Sequence, residues 1–248
     1  MSAATPEFSI SADADALAQE AARRFVAAAR AASAARGRFT VALSGGSTPK
    51  ALFALLAAAP YREQIDWATV QLFWGDERCV PPTDEQSNYR LTRETLLDKV
   101  PIPAAQIHRI FAEDPEPTRA ARAYTAVLEQ LFTLGDGEFP TFDLIHLGLG
   151  PEGHTASLFP GSPALRETRG LVAAPYVEQL SAHRITLTPP VINAAREVQF
   201  LVAGAGKAEI VGRILHAPHD PDKLPAQIVA PSPGKLVWLL DEAAAAQR

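Results

Sequence analysis

His154 stands behind three glycines, Gly148, Gly150 and Gly153, that interrupt a mostly apolar run over residues 143–147; Thr155 and Ser157 follow at once. An imidazole in such a place can move protons near neutral pH. Glycines beside it let the backbone take positive φ and let a ligand come close. Glu152, two residues upstream, supplies an acid that can orient the imidazole or a water. A second set is Ser44, Gly45, Gly46, Ser47, Thr48 and Pro49, directly after the apolar run 39–43. Backbone N–H groups at a helix start, flanked by hydroxyls, suit a phosphate. The other reading is an ordinary strand-to-helix turn, since the stretch is neither a Walker loop nor a GxGxxG fingerprint. A third set, Gly75-Asp76-Glu77-Arg78, brings an acid and the planar fork of a guanidinium; a solvated charge run or an Asp–Arg ion pair is its alternative. The fourth, Gly204-Ala205-Gly206-Lys207, puts a cation where a helix dipole disfavours one. A nearby anionic ligand would offset that cost, and a plain surface lysine is the alternative.

These groups need strands that stop at one edge of a sheet. The pattern predicts an amphipathic helix over about 13–36, capped by Asp13 or Asp15 and stopped by Gly37. A buried strand over 39–43 runs into a helix marked by Leu52, Leu55 and Leu56. Ser47 or Thr48 is expected to cap that helix, with Pro49 in its first turn. Further strands are predicted over 70–74, 107–111, 143–147, 171–174, 184–187, 198–203 and 236–240. Helices follow Ser87, span about 117–134, open at Pro189-Pro190, and carry Ile210, Val211, Ile214 and Leu215; the tail 242–248 forms a short helix or frays. Strands alternating with helices imply an α/β fold, a mainly parallel Rossmann-like sheet with helices on both faces. No linker divides the chain, so residues 1–248 are expected to form one domain. Catalytic groups at the carboxyl ends of such strands converge on one crevice.

Composition narrows the chemistry. The 248 residues are 47% hydrophobic and carry a formal net charge of −5, which argues against a nucleic-acid partner. A local group of Arg and Lys can still attract an anionic small molecule. One cysteine, Cys79, rules out a disulfide framework within a chain and suits a reducing cytosol. Residues 1–13 have no basic flank or apolar core of an export signal, and no run approaches the about 18 apolar residues of a membrane span. A cytoplasmic protein is expected, a monomer or small homo-oligomer. His216 and His219 are three apart with Pro218 between them, and a metal site is not expected there. No Gly-x-Ser-x-Gly elbow supports a nucleophilic serine.

Leu43-Ser-Gly-Gly-Ser-Thr-Pro49, Trp74-Gly-Asp-Glu-Arg78, Ser87-Asn-Tyr89, the long run from Leu147 through Gly-His-Thr-Ala-Ser-Leu-Phe-Pro to Gly161, Arg184-Ile-Thr-Leu-Thr188 and Gly204-Ala-Gly-Lys207 together resemble the 6-phosphogluconolactonases. The first motif is shared with sugar-phosphate isomerases and deaminases of the same superfamily. The resemblance implies a fold similar to that of glucosamine-6-phosphate deaminase. It also implies hydrolysis of 6-phospho-D-glucono-1,5-lactone to 6-phosphogluconate in the oxidative pentose phosphate pathway, without metal or organic cofactor. Where the family usually has Asp before the Gly–His pair, this chain has Glu152, a carboxylate one methylene longer.

The two lines combine into one expectation. Ser44, Gly45, Gly46, Ser47 and Thr48 hold the phosphate, with Arg78 and Lys207 supplying charge and Arg184 as a secondary candidate. His154 takes a proton from the attacking water and returns it to the departing ring oxygen, with Glu152 or Asp76 orienting imidazole or water. A deaminase or aldose–ketose isomerase is the nearest alternative, although Asp76-Glu77-Arg78 and Leu158-Phe159-Pro160 differ from the Asp-Glu-Tyr and Phe-Asn-Glu-Pro expected of deaminases. A non-catalytic sugar-phosphate-binding module would need no histidine loop.

Overall fold

The computed structural model describes residues 5–248. The first four positions of the stretch 1–13 read for an export signal lie outside the described residues. The chain opens with β1 (Glu7–Ser11), α1 (Ala14–Arg36), β2 (Phe39–Leu43) and α2 (Ser47–Leu56). It continues through β3 (Val70–Trp74), β4 (Asp76–Arg78), α3 (Asn88–Thr95), β5 (Ile107–His108) and α4 (Pro117–Phe132). Then come β6 (Leu144–Leu147), β7 (Val172–Ala173), β8 (Tyr176–Val177), β9 (Ala182–Leu187) and α5 (Pro189–Asn193). The last are β10 (Glu197–Val202), α6 (Ala208–His216) and β11 (Lys235–Asp241).

Local chemistry explains the elements that the pattern predicted. Asp13 caps α1, its carboxylate accepting the Ala16 N–H at 2.8 Å. Gly37 ends the same helix in the left-handed region at φ 70°. Leu17, Ala21 and Phe25 form the buried stripe of α1, and Phe25 meets Phe39 edge-on at 5.2 Å. Fully burying an aromatic side chain such as Phe25 contributes about 1.5–3 kcal/mol.

Seven strands form one sheet in the order β1-β11-β10-β6-β2-β3-β5, and every pairing in it is parallel. From β2 the chain winds outward through β3 and β5. It then returns to β6 on the other side of β2 and winds out through β10 and β11. The direction reverses between β2 and β6, and in open α/β sheets the crevice at such a point takes the ligand.

Three elements depart from the expectation. β1 pairs with β11 at the sheet edge where no strand is predicted: only Phe8 and Ile10 are large and apolar, and the partner is the last strand of the chain. Asp76–Arg78 is a strand of a second, antiparallel sheet, β4-β9-β7, rather than a charged turn. The strand expected over 107–111 is cut to two residues, since β5 is the edge strand and pairs only with Leu72 and Phe73. Residues 242–247 form turns.

The amino ends of β2 and β6 are tied by Asp143, a buried carboxylate. Its Oδ1 accepts from Arg36 at 3.1 and 2.7 Å, and its Oδ2 accepts from the Thr40 N–H and hydroxyl at 2.8 and 3.0 Å. Arg196 adds a guanidinium nitrogen at 3.5 Å.

Candidate active site

The carboxyl end of β2 delivers Ser44, which is buried and whose hydroxyl has no hydrogen-bond partner. Gly45 presses against Asn88 so closely that a Cβ there would fall 1.8 Å from Asn88 Oδ1. Gly46, at φ 114°, holds the cap position of α2, and no side chain caps that helix. This corrects the expectation that Ser47 or Thr48 would do so. A conformation that L side chains rarely adopt carries the chain into the helix, leaving the first-turn N–H groups without a side-chain acceptor. Uncapped N–H groups at a helix start are the kind of donors that suit an anion.

Gly75 hands the chain from one sheet to the other: its N–H donates to Leu43 O and its carbonyl accepts from Leu187 N, both at 2.8 Å. Asp76 follows at once. Its Oδ2 accepts from the Ser157 hydroxyl at 2.7 Å, and Asn88 Nδ2 donates to its carbonyl at 3.0 Å and its Oδ1 at 3.4 Å. Glu77 is buried and accepts the N–H groups of Arg78, Asn88 and Tyr89, each at 2.8 Å, and the Ser87 hydroxyl at 3.1 Å. Burial raises its pKa against the opposing effect of those donors. Glu77 thus anchors the start of α3 and fixes Asn88 behind Gly45. Arg78 donates to Gln86 O at 2.6 Å.

After β6 the backbone folds back on itself. Gly150 N–H donates to His154 O at 2.8 Å, and Gly153, at φ 90°, donates to Gly150 O at 3.0 Å. A Cβ on Gly150 would lie 2.0 Å from His154 Nδ1, so only glycine admits the ring. The imidazole stacks on Phe159 with centroids 4.1 Å apart and planes 23° apart. Nδ1 is buried and 3.1 Å from Glu152 Oε1, out of alignment for a hydrogen bond, while Glu152 Oε2 is buried without a partner. Nε2 is therefore the ring nitrogen open to the cleft. Ala156 is held at φ 46°, a strained value for a non-glycine residue and one that clusters at functional sites. Lys207 sits in the turn before α6, and its Nζ donates to Leu149 O at 2.7 Å.

These groups line one cleft of about 200 Å³ at the reversal point between β2 and β6. It brings together Ser44, Gly45, Gly46, Ser47, Thr48, Asp76, Arg78, His154 and Lys207. Two predicted residues do not line it. Glu152 stands behind the imidazole. Arg184 lies opposite Arg78 across the β4–β9 ladder. Burial, and then the charge of Arg78, lower its guanidinium pKa. Asp76 has its carboxylate turned to Ser157 and Asn88 rather than to His154. Asn88, Ser157 and Phe159 carry the architecture of the site and had no role in the sequence reading. All three lie within the motifs that carry the family resemblance, but nothing local to Asn88 and Ser157 says that they meet Gly45 and Asp76.

A parallel α/β sheet with a glycine-rich helix start and an imidazole lining one crevice at its reversal point defines an α/β protein with its ligand site between β2 and β6. The chain matches the family model described as glucosamine-6-phosphate isomerases/6-phosphogluconolactonase over residues 12–238. It is 45% identical to a 6-phosphogluconolactonase of Synechocystis over 213 residues, 86% of each chain. It is 43% identical to a 6-phosphogluconolactonase of Mycobacterium tuberculosis over 240 residues, 95% of each. The solved 6-phosphogluconolactonase of Trypanosoma brucei superposes with a TM-score of 0.85 at 32% identity, covering 98% of both chains. A monomeric glucosamine-6-phosphate deaminase shares the fold at 18% identity, with a TM-score of 0.80 over 98% of this chain and 100% of that one. The protein belongs to the glucosamine-6-phosphate isomerase/6-phosphogluconolactonase family. No helix among the described residues is long and apolar enough to cross a membrane.

Proposed function

We propose that the protein hydrolyses 6-phospho-D-glucono-1,5-lactone to 6-phosphogluconate, with His154 as general base. The observation that carries the reading is the cleft itself: the Ser44–Thr48 turn and the open Nε2 of His154 line one space of about 200 Å³. The phosphate sits on the N–H groups and hydroxyls of residues 44–48, with Arg78 and Lys207 providing positive charge. Water attacks C1 as Nε2 accepts its proton. The C1–ring oxygen bond then breaks, and the imidazolium returns the proton to that oxygen. Glu152, with Oε1 3.1 Å from Nδ1, stands on the far side of the imidazole from the cleft. Asp76 positions the loop through Ser157. No cofactor enters these steps. The whole chain acts as one domain, supported by a hydrophobic cluster that includes residues of both sheets. Its lone cysteine favours the cytoplasm.

The test is lactone hydrolysis coupled to a 6-phosphogluconate dehydrogenase, corrected for spontaneous opening. His154→Ala should lower kcat by about 10²-fold or more with the fold intact. A near-wild-type rate in the folded variant overturns the assignment.

A further inference from the structure

We infer that Phe159 is a positioning residue for this chemistry, setting the plane of the His154 ring by stacking. The inference rests on the assignment of His154 above. A general base is usually oriented by a hydrogen bond to its second ring nitrogen. Here that bond is missing: Nδ1 is buried, and the Glu152 oxygen beside it is out of alignment. Packing takes over the task. One face of the ring is covered by Phe159, with centroids 4.1 Å apart and planes 23° apart. Gly150 closes in on Nδ1, near enough that a single methyl group there would overlap it. Held in this slot, the imidazole keeps Nδ1 toward Glu152 and Nε2 toward the cleft.

Phe159 is itself fixed. It is buried, and the chain beyond it turns sharply: Ser162 N–H donates to Phe159 O at 3.0 Å, and Gly161 N–H donates to Asp222 O at 2.9 Å. A flat ring on a rigid turn defines an angle that an aliphatic side chain of comparable bulk would not. Aromatic pairs of this kind also contribute about 0.5–1.5 kcal/mol beyond buried area.

The experiment compares Phe159→Leu and Phe159→Tyr with the wild type and with His154→Asn. Phe159→Leu should lower kcat by about tenfold, within the range that small misplacements of catalytic groups produce, and leave KM within about twofold, because the phosphate cradle is untouched. Phe159→Tyr, which restores a flat ring, should recover most of the lost kcat. In NMR spectra the His154 Hε1 resonance should move downfield in Phe159→Leu as the shielding of the stacked ring disappears. Wild-type kcat and an unmoved Hε1 in a folded Phe159→Leu protein overturn the inference. So does an equal loss in the Leu and Tyr variants. If His154→Asn keeps full activity, the assignment of His154 falls instead, and the Hε1 shift still reports whether the stacking exists.

Discussion

The two ends of β2 and β6 carry polar groups in opposite states. At the amino ends, Asp143 is saturated: both oxygens accept hydrogen bonds, from Arg36 on one side and from Thr40 on the other. At the carboxyl ends, the Ser44 hydroxyl, His154 Nδ1 and Glu152 Oε2 are buried without hydrogen-bond partners, and the first turn of α2 has no side-chain cap. A buried polar group without a partner costs about 1–3 kcal/mol. Of the unsatisfied groups, the Ser44 hydroxyl and the first turn of α2 line the cleft, so the saturated end marks stability and the open end marks room for a ligand. The difference also says which substitutions should affect folding and which should affect turnover.

The largest expected effect is at the closed end. Asp143→Ala leaves the buried Thr40 N–H and hydroxyl without their acceptor, and the half-exposed Arg36 guanidinium without its partner, and should destabilise the protein by about 3 kcal/mol in urea unfolding. Turnover per folded molecule should stay within about twofold. A loss of kcat without a loss of stability would break the division between the two ends.

Midway along β6 lies His146, wholly buried, with the Gln199 side chain beside it but not aligned for a full hydrogen bond to either ring nitrogen. Burial drives its pKa down to about 4. The unfolded chain binds this proton near pH 6.5 and the folded chain near pH 4, so stability is full above pH 6.5 and falls as the pH drops between those values. About 3 kcal/mol should be lost across that window. Unfolding free energies measured from pH 7 to pH 4 should show this decline in the wild type and a flatter one in His146→Leu.

A smaller effect is expected from Arg78→Ala at the open end. Its bond within the protein is to the Gln86 carbonyl, and its guanidinium faces the cleft. KM should rise about tenfold, the effect of one charge-assisted phosphate contact, with little change in kcat or melting temperature. An unchanged KM would move the phosphate away from Arg78.

How legible each end was in the sequence follows from how it is built. The cradle is local: an apolar run, two glycines and two hydroxyl residues before a helix are enough to read it. The histidine loop also shows itself, because glycines mark where the strand stops. Contacts between distant elements stay hidden. Asn88 fills the space that Gly45 lacks a side chain to occupy, and Ser157 reaches Asp76 across 81 positions of chain. Neither spacing nor composition registers such a pair. Ser and Thr are the usual cap residues and point to Ser47 or Thr48, whereas Gly46 takes the cap position of α2 through its backbone angles. Arg184 carries a suitable charge, and it is the pairing of β4 with β9, invisible in the sequence, that sets it directly beside Arg78 on the same face of the ladder. The edge strand β1 offers too few apolar positions to register as a strand, and its partner lies at the far end of the chain.

The central claim is that the cradle and the imidazole serve one ligand. The direct measurement is an NMR titration with 6-phosphogluconate, following the Ser47 and Thr48 amides and the His154 ring together. One saturable event with the same Kd at all three positions is the predicted result. Amides that shift while the ring stays unmoved would contradict the account.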